Sequence, residues 1–235
     1  MFFKMKFSVI IPAYNEEKLL PKCLASLVDL DYDKSDYEII LVNNNSQDKT
    51  KQIALGFNGV KVVDEPKQGN VFALIKGCQA ARGEVLAFTD ADTQVPKDWL
   101  KKFAKAYEDK KVVCVGGPGK HRPVILGSIL PELVIYFGGW LFKLSSCFNI
   151  SVRKSVYNKL GGFDPKINFH QDVYLATQAK KHGQFKFLLN NPVITSSRRY
   201  GNPRGVIYVL KSAVNLLSLF LFKKTVFFEF GNVRK

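Results

Sequence analysis

Along the first half of the chain, apolar residues gather in short unbroken runs separated by longer mixed segments. Runs at 7–11, 37–42, 60–63, 85–88 and 112–115 are rich in Val, Ile, Leu and Phe and show little polar alternation. Runs of this length suit parallel strands covered on both faces. Pro12 is expected to stop the first. Between runs the spacing becomes helical: Leu19, Leu20, Cys23, Leu24 and Leu27 fall on one stripe. Asn15 is positioned to cap that helix, with Glu16 and Glu17 in a first turn where carboxylates suit the dipole. Further helices are expected at about 48–56, 69–81 and 97–107. Strands alternating with helices imply right-handed crossovers. The expected fold class is therefore α/β, with a Rossmann-like, mostly parallel central sheet flanked by helices.

The second half is less regular. The stretch 124–144 is apolar but broken by Pro131, Glu132 and a Gly138-Gly139 pair. Gly161-Gly162-Phe163-Asp164 reads as a turn, and 171–181 as a helix that opens with Asp172. Ligands of open parallel sheets bind beyond the carboxyl ends of the strands. Three polar clusters fall there, at 13–15, 43–46 and 90–92. Their convergence in space is the central structural expectation.

The chain's 235 residues fit one larger α/β domain, with 46% hydrophobic residues for its core. Charge narrows the partners. Lys and Arg total 35 against 20 Asp and Glu, a formal net charge of +15. Such an excess attracts nucleic acid, an anionic membrane surface or an anionic small substrate. The sequence has no zinc-finger spacing and no RNA-binding aromatic motif, which argues against nucleic acid. From Arg198 to Lys235, eight Lys or Arg accompany a single acid, Glu229, and lie beside apolar runs. Within 205–222 the polar residues Lys211, Ser212, Asn215 and Ser218 recur three or four apart. That stripe predicts an amphipathic helix lying in a membrane interface; the competing reading packs it on the domain or a dimer partner. The segment 124–144 is a second candidate contact. Cys23, Cys78, Cys114 and Cys147 are far apart and read as buried free thiols rather than zinc ligands. The N-terminus has neither a long apolar run nor a small-residue cleavage site. The expected location is cytoplasmic, peripheral on a membrane face.

Candidate chemistry starts with Asp90 and Asp92 in VLAFTDAD. Two carboxylates one residue apart at a strand end can share a hard cation, Mn2+ or Mg2+, that neutralises phosphate charge. A solvated surface turn is the plain alternative. FSVIIPAYNEE offers Pro12, Ala13 and Tyr14 as a wall for a nucleobase, with Glu16 near base or ribose. VNNNSQDKT offers Asn44 as a base-reading amide. Lys67, beside Gly69, and the basic group Arg198, Arg199 and Arg204 are candidate phosphate contacts. Asp172 is either a general base or an ordinary first-turn acid.

In order and spacing these segments resemble the inverting family 2 glycosyltransferases of the GT-A fold. That family's P-x-Y-N-E matches Pro12, Tyr14, Asn15 and Glu16. Its V-D-D-x-S-x-D-x-T matches Val42, Ser46, Asp48 and Thr50, and its D-x-D matches Asp90 and Asp92. NISVRKSVYNKLGGFD is similar to the family's N-x-x-x-R-R segment before G-G-F, and HQDVYL to its E-D-x-x-L. The resemblance covers residues 7 to about 183. It implies one domain over 1–204, with a donor half (about 1–118) and an acceptor half (about 119–204), and an appended segment, 205–235. It implies a nucleotide-sugar donor, UDP-linked in preference to GDP-linked. Pro12, Ala13, Tyr14, Glu16, Asn44, Lys67, Gly69, Asp90, Ala91, Asp92, Arg198 and Arg199 are the residues expected to hold it. Asp92 and Asp90 are the expected ligands of Mn2+ or Mg2+. Asp172 is the expected base, with Asp164, His170 and Gln171 on the acceptor. The acceptor is expected to be a hydroxyl or a lipid phosphate, lipid-linked if the basic apolar segment meets a membrane. The chain departs from the family at Asn43 and Asn44, which replace paired acids, and at Gln171, which replaces Glu. Thr195, Ser196 and Ser197 stand where many relatives carry a metal-touching His. Two other functions share the outline. A nucleotidyltransferase normally carries a Gly- and Arg-rich phosphate loop after its first strand, where this chain has PAYNEE. A catalytically silent nucleotide-sugar-binding protein has less need to retain Asp90, Asp92 and Asp172.

Overall fold

The computed structural model describes residues 6–142, 146–167 and 170–200, with Ile207, Lys211, Val214, Asn215 and Ser218 described individually. The strands are β1 (Phe7–Ala13), β2 (Tyr37–Asn43), β3 (Val60–Asp64), β4 (Val85–Phe88), β5 (Thr93–Gln94), β6 (Val112–Gly116), β7 (Gly119–Arg122), β8 (Ile150–Arg153), β9 (Gln184–Phe187) and β10 (Val193–Ser196). The helices are α1 (Leu20–Val28), α2 (Thr50–Leu55), α3 (Asn70–Ala80), α4 (Trp99–Tyr107), α5 (Leu126–Phe142), α6 (Lys154–Lys159) and α7 (Gln171–Ala179). Seven strands form the main sheet in the order β3-β2-β1-β4-β8-β6-β9, while β5, β10 and β7 form a small second sheet. Of the seven, β8 runs against its neighbours β4 and β6; the other pairings are parallel. The α/β class and mostly parallel sheet are as expected from the sequence.

Period-2 alternation along β1 splits the core in two. Val9 and Ile11 join Leu24, Leu41, Trp99 and Phe103 on one face. Ile10 joins Ile40, Leu74, Phe88, Val152 and Leu175 on the other. Both faces are covered, which is why these strands read as unbroken apolar runs.

Three local expectations are corrected. β1 runs through Pro12, which pairs in register with Val42. Ile10 turns its carbonyl to Thr89, so Pro12, two residues on, faces the same side, where the β4 ladder has already ended at Phe88. A missing N–H costs nothing there. Asn15 does not cap a helix. It adopts a left-handed φ of 53°, its N–H donates to Ser46 Oγ (3.1 Å) and its Oδ1 accepts from Gln47 N–H (2.8 Å). α1 starts later, at Leu20, with Pro21 in its first turn. α5 continues through Pro131 for 17 residues, forgoing the backbone bond that proline cannot donate. The predicted helix at 205–222 lies outside the described residues, apart from the five positions named above.

Candidate functional site

The loops after β1, β2 and β3 are stitched together by polar side chains. Glu16 N–H donates to Thr50 Oγ1 (2.7 Å) and Glu17 N–H to Asp48 Oδ2 (3.1 Å). Asp48 Oδ1 also accepts from Thr50 N–H (2.9 Å). Burial pushes the Asp48 carboxyl up, but the bonds from the Thr50 hydroxyl and the Thr50 and Glu17 amides outweigh it and hold it below its ordinary range. Asn43 Nδ2 donates to Asp64 Oδ1 (2.9 Å). Asn44 is spent on the loop after β3: Nδ2 donates to the carbonyls of Glu65 (3.0 Å) and Lys67 (2.7 Å), and Oδ1 accepts from Gly69 N–H (2.8 Å). Both Asn44 donors are therefore used, and its amide holds a loop rather than presenting a free donor edge. Gly69 takes a φ of +139°, where a side chain is strained. The Lys67 ammonium lies over the Phe72 ring at 3.9 Å from its centroid. Tyr14 is half-buried in the first of these loops.

Carboxylates collect beyond β4. Ile10 and Phe88 are register partners, so Pro12 and Asp90 each lie two residues past a shared rung. Asp90 is half-buried, and desolvation together with the nearby Asp92 charge pushes its carboxyl up to about 7; Asp172 and Glu16 add to this and Arg199 opposes it. Glu16 is only 3% exposed. It accepts two bonds from Arg198, Nη1 to Oε2 at 2.8 Å and Nη2 to Oε1 at 2.5 Å. The same Arg198 Nη2 lies 3.0 Å from Asp92 Oδ2. Asp92 Oδ1 also meets Thr195 Oγ1 at 3.5 Å, and Thr195 is bonded to Thr93 at 3.0 Å. Ala91, between the two acids, is buried.

Asp172 reaches this cluster through the antiparallel strand. β8 begins opposite the end of β4, with Ile150 paired to Phe88, so the turn Cys147–Asn149 lies alongside Thr89 and Asp90. Asp172, in the first turn of α7, accepts the Cys147 N–H at Oδ2 (2.6 Å). Burial raises its carboxyl above the ordinary value, against the pull of His170 and of backbone N–H groups. His170 precedes the helix in a left-handed conformation, φ 57°. Gln171 is buried, and its Nε2 has no hydrogen-bond partner among the described residues. Asp164 accepts Lys166 N–H at 2.9 Å, the Asx-turn reading of that residue. The family-like Asn149 and Arg153 serve as struts. Asn149 takes the Trp99 indole N–H (2.9 Å) and donates to the carbonyls of Pro118 and Asn191. Arg153 donates to the carbonyls of Val112 and Tyr107.

Sequence reasoning brought out Glu16 and Arg198 separately but missed their pairing, since they stand 182 positions apart. It also missed His121. This residue is the register partner of Thr195. It is buried against Tyr200, with ring centroids 5.0 Å apart, and its backbone N–H donates to Glu132 Oε2 at 2.9 Å. Burial holds its imidazole below the ordinary value, against the pull of Glu132 and Asp92. A lone histidine in GKHRP carries no local signal for this.

The donor set fits a hard cation in part. Two carboxylates, one of them pushed up to about 7 by burial and by its neighbour, make a site that a divalent charge relieves. Among the described residues, no three His, Cys, Asp or Glu gather into a group able to hold a metal. Such a site suits Mg2+ or Mn2+ shared between one or two carboxylates and the oxygens of a phosphate ligand.

Comparison with known proteins converges on one family. The model of "Glycosyl transferase family 2" matches residues 8–160, more than half of the chain. The glycosyltransferase AglE of Haloferax volcanii is 36% identical over 188 residues, covering 75% of this chain and 62% of that protein. A Methanococcus voltae protein, "Dolichyl N-acetyl-alpha-D-glucosaminyl phosphate 3-beta-D-2,3-diacetamido-2,3-dideoxy-beta-D-glucuronosyltransferase", is 28% identical over 157 residues, or 64% of this chain and 44% of that one. The chain thus spans roughly half to two thirds of the length of these relatives. Among solved structures, the mannosyltransferase PcManGT of Pyrobaculum calidifontis, in complex with GDP-Man and Mn2+, superposes with a TM-score of 0.73 at 21% identity, over 92% of this chain and 62% of that one. That similarity establishes the shared GT-A fold. With the matched model spanning the loops after β1 and β2, the Asp90–Asp92 pair and the β8 strut, the chain belongs to glycosyl transferase family 2.

Proposed function

We propose that this chain transfers a sugar from a nucleoside diphosphate sugar to a hydroxyl of a lipid-linked acceptor, by a single displacement that inverts the anomeric centre. The observation that carries the reading is the gathering of half-buried Asp90, Asp92 and Asp172 at one strand end, with Asp92 and Asp172 both within electrostatic reach of Asp90. In the step, the acceptor oxygen bonds to the anomeric carbon and the bond from that carbon to the diphosphate breaks. The acceptor proton passes to Asp172. A carboxylate that burial makes more basic suits that task. The Cys147 N–H at Oδ2 fixes its aim. Asp92 and Asp90 are the residues that would hold Mn2+ or Mg2+, which supplies charge neutralisation on the departing diphosphate. The Mn2+ and GDP-Man in the PcManGT complex support this assignment, as does the dolichyl phosphate in the name of the Methanococcus voltae relative. The base is tested with a panel of nucleoside diphosphates, UDP and GDP first, with and without Mn2+. Metal-dependent thermal stabilisation by one of them is expected; stabilisation by none rejects the reading.

Peripheral attachment to the cytoplasmic face of a membrane belongs to the same proposal. α5 turns Ser128 and Glu132 inward and packs Gly139 on Phe187. Its outer side carries Leu126, 88% exposed, with Ile129, Leu133, Phe137 and Leu141 at helical spacing. Further along, Asn215 and Ser218 are buried while Ile207 and Val214 are exposed. Polarity is thus inverted relative to a water-facing helix, and exposed Lys120 and Arg122 lie near the start of α5. No helix of the described residues is long and apolar enough to cross a membrane. Co-sedimentation with phosphatidylcholine–phosphatidylglycerol vesicles at low salt is expected, and should weaken when Leu133 and Phe137 are both replaced by Glu. Wild-type protein left wholly in the supernatant rejects the contact.

A further inference from the structure

Arg198 is placed oddly for a residue that waits for a phosphate. Its guanidinium is already committed to two acids of the donor site, bidentate on Glu16 and 3.0 Å from Asp92 Oδ2. Glu16 and Asp92 are nearly closed to solvent, with side chains 3% and 7% exposed, while Arg198 retains 29%. The arginine arrives from the outer side, on a short 3-10 turn, Arg198–Tyr200, just beyond β10. Its Nε is buried without a hydrogen-bond partner among the described residues, so the fork is spent on the acids and one donor is left over. A charge-assisted pair of this geometry is strong, and breaking it exposes a buried carboxylate to a large electrostatic cost. A divalent cation that binds Asp92 Oδ2 needs the same lone pairs.

We propose that Arg198 is a tethered counter-ion for the donor site, which competes with a divalent cation for Asp92, and that Glu16 is the anchor that keeps it there. This rests on the metal-assisted reading of Asp90 and Asp92. Glu16 is then a positioning residue, not a contact to base or ribose. The arrangement keeps Glu16 and Asp92 paired when no ligand is bound, and leaves Asp90 and Asp172 outside the pairing. It also ties cation entry to departure of the arginine, whose released fork is suited to phosphate oxygens.

The test is direct Mn2+ binding without nucleotide, by electron paramagnetic resonance of the free ion, on wild type, Arg198→Gln and the double variant Arg198→Gln/Glu16→Gln. Circular dichroism checks that each is folded. Competition predicts that Arg198→Gln binds Mn2+ roughly tenfold more tightly, the equivalent of one strong charged contact. The double variant has the same net charge as wild type yet leaves Asp92 uncovered, so it should keep most of that gain. A double variant that falls back to wild-type affinity shows that only the field of Glu16 was at work and overturns the proposal. Equal affinity in wild type and Arg198→Gln overturns it too, while leaving the metal-assisted reading standing. Absence of Mn2+ binding in all three, with and without UDP or GDP, removes both.

Discussion

Two polar regions meet at the end of the sheet, and they treat their hydrogen bonds in opposite ways. In the rim built from Asn15, Asn43, Asn44, Ser46, Asp48 and Thr50, side chains are spent on backbone groups and on one another. The cluster of Glu16, Asp90, Asp92 and Asp172 instead crowds acids together. One of them is pushed up to about 7 by burial and Asp92, another is raised by burial, and two share one guanidinium. The rim is satisfied and should respond to mutation through stability. The acid cluster carries unrelieved charge, which a ligand can relieve, and should respond through binding and rate.

The sharpest way to break that contrast is Asp172→Asn. The amide keeps the size of the side chain, and its oxygen can still accept the Cys147 N–H. Loss of a general base predicts a fall in kcat of about 10²–10⁴-fold, with nucleotide binding and melting temperature little changed. An unaltered kcat would assign Asp172 to the rim class, or mean an acceptor already ionised, such as a phosphate. Asn44→Ala should do the reverse. It strips partners from Gly69 N–H and from the carbonyls of Glu65 and Lys67. The expected loss is about 1–3 kcal/mol of unfolding free energy, measured by urea denaturation. Asn44→Asp, which restores the acid usual in the family, should recover little, because a carboxylate cannot donate to two carbonyls.

How much of this could be read from the sequence follows the same division. Buried parallel strands carry their own signature, so β2, β3, β4 and β6 fall within a residue of expectation. The motif residues of the first half were also legible, because the clusters at 13–16, 43–50 and 90–92 sit at the ends of such strands. In the second half the signal fails for physical reasons. β7 alternates buried and exposed over four residues, Gly-Lys-His-Arg, and β8 is a four-residue antiparallel insertion hidden within NISVRKS. Neither is long enough to establish a period. The Asn15 helix cap was misjudged because the same residue type also favours a left-handed turn. The Glu16–Arg198 and Asp172–Cys147 bonds depend on tertiary approach, which no local pattern encodes.

The mildest test concerns Asp48, an acid of the rim whose carboxyl is held below its ordinary range. Its folded carboxyl lies below the ordinary value because the bonds from Thr50 and Glu17 outweigh burial. The unfolded chain therefore takes up a proton first as pH falls, and between the two pKa values it binds more protons than the folded one. Stability then rises with pH across that window. The Asp48 contribution is fully present above about pH 4, the unfolded carboxylate range, and is lost as pH drops through the lowered folded value. Asp48→Asn should lose part of the stability at neutral pH and show a flatter acid limb, with its curve approaching wild type near pH 2. Parallel curves from pH 7 down to 2 would mean that the carboxylate charge at this position does no stabilising work. The rim would then hold its loops by neutral hydrogen bonds alone, and its contrast with the acid cluster would be one of charge as well as of satisfaction.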